Sequence, residues 1–79
     1  MSAYQTGEAG KRAAAEIRRT ARELGIQLKD EKESLGIPGN QMWCWEHGKT
    51  DPCCRSLYSL WRNGYDIVYI VTGVREAEP

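Results

Sequence analysis

The sequence predicts an all-α domain, a compact bundle of four to five short helices. Segments compatible with helix follow one another along the chain, and a glycine stands at the end of each of the first four, at Gly25, Gly36, Gly48 and Gly64. The 79 residues allow one small domain. Phe is absent, but three Trp and four Tyr supply bulk for a core.

Residues 1–7 include Gly7 and small polar residues, and we expect a flexible N-terminal leader there. The first helix is predicted over Glu8 to Leu24, where apolar residues recur at spacings of four and three, and Gly25 ends it. Its other side carries a basic stripe at spacings of seven and four: Lys11, Arg18 and Arg22.

Two short helices and a tight turn are predicted next. Leu28 to Leu35 is polar but contains no helix breaker, and Gly36 ends it. Pro38 is tolerated in the opening turn of a third helix over Asn40 to His47, which ends at Gly48.

A loop over Lys49 to Pro52 follows, and a fourth helix is predicted over Cys53 to Asn63. Asp66 is a capping residue for a last segment, Ile67 to Thr72, whose β-branched residues suit either a helix or a strand. The helix-forming domain thus covers residues 8–73, with a short tail over 74–79. Two side chains are predicted to lie in the core: Trp45 and Trp61.

Composition excludes several function classes. The longest apolar run, Ile67 to Val71, has five residues, whereas a membrane span needs roughly 20, so no membrane partner is expected. An odd number of cysteines, two of them adjacent, argues against a disulfide framework and for the reducing cytoplasm. Eleven basic and eleven acidic residues give no net charge, so charge alone does not predict nucleic-acid binding. We expect no cofactor and no small-molecule substrate.

The predicted third helix has an unusual outward side. Met42 and Trp45 fall on the side that continues from Ile37, which is expected to be core. A helix fits the major groove of DNA, where Asn and Gln pair with adenine, so Asn40 and Gln41 in the first turn are candidate base readers. An exposed indole needs a cover such as a thymine methyl, and Trp43 is therefore a further candidate. The outward side comprises Asn40, Trp43, Cys44 and His47.

The segment Leu35 to Lys49, LGIPGNQMWCWEHGK, followed by TDP, resembles the turn, recognition helix and exit loop of the phage repressor and Cro type of helix-turn-helix family, also called XRE-like. The segment Asn63 to Gly73, NGYDIVYIVTG, resembles the end of the same domain. In that match Gly36 is the turn glycine, and the three buried positions are Ile37, Met42 and Trp45.

The resemblance implies a λ-repressor/Cro-like DNA-binding domain, in a transcription regulator of phage or prophage origin that binds double-stranded operator DNA and is not an enzyme. The family's base-contacting positions fall on Gly39, Asn40 and Cys44, and its phosphate contacts fall on Lys49 and Thr50, to which Arg55 is added. The family carries a large aliphatic residue and an alanine where this chain has Glu31 and Lys32. In the family a basic residue of the first helix pairs with the Glu of the motif, so Arg18 and Arg22 are candidate partners of Glu46.

Cro-like regulators act as homodimers, and a dimer surface is expected on Trp61, Tyr65, Tyr69 and Ile70. An alternative function is a protein-interaction module on the same fold, an antitoxin or anti-repressor, which the zero net charge favours. A small zinc-binding domain is a third, because Cys-x2-His is a ligand spacing, although adjacent cysteines in a helix point roughly 100° apart. A catalytic Cys44–His47 pair lacks an orienting acid, and no catalytic residue is predicted. The zinc candidates are Cys44, His47, Cys53 and Cys54.

Overall fold

The computed structural model describes residues 5–75, and within that range it contains five α-helices and no strand. The predicted all-α class is confirmed, and the last segment is a helix. The third helix begins and ends one residue earlier than predicted, and the fourth is one residue shorter at each end. The helices are α1 (Glu8–Leu24), α2 (Leu28–Leu35), α3 (Gly39–Glu46), α4 (Cys54–Arg62) and α5 (Ile67–Thr72).

The long helix α1 is the centre of the domain. Its apolar stripe is buried at Ala13, Ile17 and Ala21, and it packs against α2, α3 and α5. None of the helices within residues 5–75 has the length and apolar character needed to cross a bilayer. The largest fully buried side chains are Trp45, Ile17, Met42, Leu60 and Ile70.

A three-residue turn joins α2 to α3. Gly36 has a φ of 71°, which L side chains rarely adopt, and this allows the chain to reverse while the Ile37 N–H bonds the carbonyl oxygen of Lys32 at 2.9 Å. The predicted burial of Ile37, Met42 and Trp45 is confirmed. The turn therefore directs the apolar side of α3 onto α1.

A buried polar pair holds α2 to the segment that follows α4. The Tyr65 hydroxyl donates to Oε2 of Glu31 at 2.6 Å. Glu31 is the position at which the sequence resemblance implied an aliphatic residue. Burial and the bond to Glu31 raise the pKa of Tyr65 well above its ordinary value. The Ser59 hydroxyl adds a bond to the carbonyl oxygen of Leu35 at 2.6 Å. Polar contacts thus replace part of the apolar packing of α2.

The expected core position of Trp61 is wrong. Trp61 is 61% exposed, whereas Trp45 is fully buried as predicted. Helix α4 packs through Ser56 and Leu60, and Trp61 follows Leu60 by about 100° around the helix. Two residues of the expected dimer surface also need correction, because Ile70 is fully buried and the Tyr65 hydroxyl is bonded inside the domain.

The short helix α5 is capped at both ends. The predicted cap is confirmed at its start, where Oδ1 of Asp66 accepts the N–H of Tyr69 at 3.0 Å. At its other end the Arg12 guanidinium donates to the carbonyl oxygens of Ile70 and Val71 at 2.8 and 3.0 Å. These bonds attach α5 to the first turns of α1.

Glu16 connects α1 to the chain that follows α5. Its carboxylate is largely buried and accepts bonds from Arg19 at 2.7 Å and from Arg75 at 3.0 Å. Burial would raise the pKa of Glu16, but these bonds and charges outweigh it and the pKa lies below its ordinary value. Arg75 also lies 3.7 Å above the centre of the Tyr69 ring. Of the predicted tail, residues 76–79 lie outside the described range, as do residues 1–4 of the predicted leader.

We expect Trp45→Ala to lower the free energy of unfolding by about 3 to 5 kcal/mol, because it leaves a cavity between α1 and α3. The matched variant Trp61→Ala, on the exposed side of α4, should change it by no more than about 0.5 kcal/mol. Denaturant unfolding of both variants measures the difference. Equal losses would show that Trp61 is packed like Trp45.

We expect Glu16→Gln to destabilise the domain at neutral pH and to flatten the acid side of its stability profile. The pKa of Glu16 is depressed in the folded state, so its contribution is complete above pH 4.5 and is lost as the pH falls through the folded-state pKa. Unfolding at a series of pH values tests this. The control is Glu23→Gln. Glu23 also binds Arg19, at 3.2 Å, but its side chain is mostly exposed. If the free energy of unfolding falls equally steeply at acid pH in Glu16→Gln and in the unsubstituted protein, the role assigned to Glu16 is wrong.

Candidate nucleic-acid interface

The exposed side of α3 presents most of the predicted base-contacting residues. Gly39, Asn40 and Trp43 are exposed, and Cys44 is half-buried, while Met42 and Trp45 face the core. Helix α3 contains one acidic residue, Glu46, at its C-terminal end. The structure therefore brings the candidate base readers together on a surface without a central negative charge.

Gln41 is partly committed to another contact. Its Nε2 donates to the hydroxyl of Ser56 on α4 at 3.2 Å, and that hydroxyl lies 3.7 Å from Sγ of Cys53. The side-chain amide is thereby turned toward α4, which leaves its carbonyl oxygen as the free acceptor. Ser56 is 15 positions away along the chain, so helical spacing within α3 could not indicate this bond.

Trp43 and His47 form a stacked pair one turn apart. Their ring centres are 4.0 Å apart with an angle of 24° between the planes, and Nδ1 of His47 lies 2.9 Å from the carbonyl oxygen of Trp43. The imidazole therefore covers one face of the indole, whereas the sequence alone predicted a cover from DNA. Trp43 remains 49% exposed.

The exit loop after α3 is attached to the start of α1. Oδ1 of Asp51 accepts the backbone N–H of Gly7 at 2.9 Å and that of Gly10 at 3.0 Å. These donors belong to the first turn of α1, where N–H groups have no partner within the helix and the helix dipole favours a carboxylate. The loop thus holds the exposed residues Lys49 and Thr50 beside the end of α3. No local pattern linked Asp51 to residues more than 40 positions earlier.

Glycines allow this attachment to be close. A Cβ on Gly10 would overlap the carbonyl oxygen of Thr50 and lie 3.1 Å from Cα of Trp45. A Cβ on Gly7 would lie 2.5 Å from the carbonyl oxygen of Gly48. Since these atoms are mostly backbone, they cannot move aside without moving the loop or α3.

Charges around α3 are arranged so that its carboxylate is compensated. Arg18 of α1 donates to Glu46 at 2.5 Å, which confirms Arg18 as one of the two expected partners. The hydrogen bond to Glu46 raises the pKa of Arg18. Lys49 and Arg55 are exposed near the two ends of the loop that follows α3. A protein without net charge therefore carries two exposed cations, Lys49 and Arg55, in the segment that follows α3.

The zinc candidates do not form a site in residues 5–75. Cys44 is half-buried, Cys53 and Cys54 are exposed, and all three are free thiols. No three His, Cys, Asp or Glu side chains in this range are placed to hold one metal ion. Cys53 is the residue before α4, and accepting the backbone N–H of Ser56 lowers the pKa of its thiol.

Comparison with known proteins adds no assignment: no protein-family model matches the chain, and no curated protein or solved structure is significantly similar to it.

We expect Asp51→Ala to lower the free energy of unfolding by about 1 to 2 kcal/mol, because two N–H groups at the start of α1 lose their acceptor. Amide hydrogen exchange at Gly10 should become faster. The control is Asp30→Ala, which changes an exposed carboxylate in the first turn of α2. The capping role would be refuted if the Asp51 and Asp30 variants had the same free energy of unfolding and the same protection of the Gly10 amide from exchange.

Proposed function

We propose that this chain is a sequence-specific DNA-binding transcription regulator that reads operator DNA with α3. The observation that carries the proposal is the exposed side of α3, which combines an amide, an aromatic pair and a thiol and whose one carboxylate is paired with Arg18. Such a surface is costly to expose in water without a partner, and a helix of this width fits the major groove.

Each contact has a distinct role in the proposal. The Asn40 amide has a donor and an acceptor and pairs with an adenine edge, while Gly39 lets the backbone approach the DNA. The free carbonyl oxygen of Gln41, the Trp43 ring and the Cys44 thiol contact neighbouring base edges. Phosphates are bound by the residues after α3, which position the helix without reading sequence: Lys49, Thr50 and Arg55.

The resemblance of Leu35 to Lys49 to the phage repressor and Cro type supports a phage or prophage regulator that acts on DNA in a bacterial cytoplasm. Three features support this proposal: the positive φ of Gly36, the burial of Ile37, Met42 and Trp45, and the contact between Arg18 and Glu46. We propose a helix-turn-helix formed by α2 and α3, and a homodimer that reads two half-sites. With Tyr65 and Ile70 buried, the dimer surface moves to the exposed aromatics of α4, Tyr58 and Trp61.

A second candidate function is a protein-interaction module. It is favoured by the same two rings of α4, since Tyr58 is 57% and Trp61 61% exposed and their centres lie 5.9 Å apart. Trp and Tyr are enriched at the centres of protein interfaces. In that case Trp61→Ala abolishes partner binding, and α3 has no preference among DNA sequences.

Selection of bound sequences from a random duplex pool tests the proposed function. We expect a defined site. At one position of that site, Asn40→Ala should reduce the discrimination between bases by roughly 5- to 150-fold, the range of a good bidentate contact. Lys49→Ala should weaken all sequences alike and reduce the slope of log K against log salt by about 1.

The matched control is Asn63→Ala, which removes the same amide from the far end of α4, where it bonds the carbonyl oxygen of Ser59. It should leave the selected site unchanged. Failure of the protein to select any sequence, or equal effects of the Asn40 and Asn63 substitutions, would contradict the proposal.

A further inference from the structure

His47 has a defined proton position. It is the capping residue that directly follows α3, and it is exposed. Nδ1 lies 2.9 Å from the carbonyl oxygen of Trp43, which can only accept a hydrogen bond, so Nδ1 carries the proton. In the neutral ring the lone pair is therefore on Nε2, the nitrogen that the Trp43 carbonyl leaves free.

The orientation of this ring is fixed as well. Stacking against the Trp43 indole, with centres 4.0 Å apart and planes at 24°, holds the plane of the imidazole, and the bond from Nδ1 holds its rotation. A group held in this way loses little conformational freedom on binding. His47 follows Asn40 by seven residues and Cys44 by three, so helical spacing places it on the same side of α3.

We infer that His47 is a specificity-determining residue, whose Nε2 accepts a hydrogen bond from the exocyclic amine of a base in the major groove. This inference rests on the proposed function, because it requires that α3 enters the groove. It deepens that function by assigning a further reader just after α3, beyond the base contacts already proposed for Asn40, Gln41, Trp43 and Cys44.

The chemistry of the groove determines which bases are read. In the major groove adenine presents its N6 amine and cytosine its N4 amine as hydrogen-bond donors. The hydrogen-bonding groups of guanine and thymine there are only acceptors. A neutral Nε2 is repelled by such acceptors and by phosphate oxygens. His47 therefore selects A or C over G or T on the contacted strand, and does not itself distinguish A from C.

Binding-site selection from a random duplex pool at mildly alkaline pH tests this inference. The protein should select sites with one position in each half-site restricted to A or C. His47→Phe keeps an aromatic ring against Trp43 but removes both nitrogens. It should lower the preference for A or C at that position by roughly 2- to 10-fold, the range of a single hydrogen bond, while the other positions keep their preferences. His47→Gln returns an acceptor oxygen and should restore part of the restriction.

Lys49→Ala is the comparison, because a lost phosphate contact weakens every sequence alike. Thermal melts establish that each variant is folded. An effect of His47→Phe that is uniform across sequences, or no effect, would overturn the inference while leaving the proposed function standing. Failure of the unsubstituted protein to select any sequence would overturn both.

Discussion

The crossing of α1 over the end of α3 is the contact on which the rest of the domain depends. Gly10 lies so close to Thr50 and Trp45 that no side chain fits between the two backbones, and Asp51 binds the first turn of α1 across the same gap. Trp45 is fully buried beside this crossing. Because one side of α3 is held there, its other side, with Asn40 and the Trp43 ring, faces solvent.

A thin core is supplemented by polar contacts that link helices distant in the chain. The domain has few large apolar side chains, and a chain of this size buries only a modest share of its surface. The Glu31–Tyr65 bond, the Arg12 cap on α5 and the Glu16 cluster each join segments more than 30 residues apart. Buried groups of this kind stabilise only as satisfied pairs, since removal of one partner leaves the other without a hydrogen bond.

Local features of the fold could be predicted from the sequence. Contacts between distant segments could not, apart from the Arg18–Glu46 pair, which the resemblance implied. Helix ends followed from glycines, and the burial of Met42 and Trp45 followed from spacing within one helix. The exposure of Trp61 did not, because Leu57, Leu60 and Trp61 share a helical side and only packing determines which part of it is covered. In the site, the outward position of Asn40 was predictable, while three contacts that arise from tertiary structure were not: Asp51 with α1, Gln41 with Ser56, and Glu31 with Tyr65.

The three indole N–H signals in a nitrogen-15 correlation spectrum report separately on the core, on the exposed side of α3 and on the exposed side of α4. Trp45 is buried, Trp43 lies on the exposed side of α3 and Trp61 lies on the exposed side of α4. The spectrum is recorded while the protein is titrated with duplex DNA enriched by the protein from a random pool, and with the same duplex scrambled. If α3 reads DNA, the Trp43 signal shifts with the enriched duplex and much less with the scrambled one, while the Trp45 signal stays in place. A Trp43 signal that does not move while the other signals respond to DNA would contradict the assignment of α3 as the reading helix.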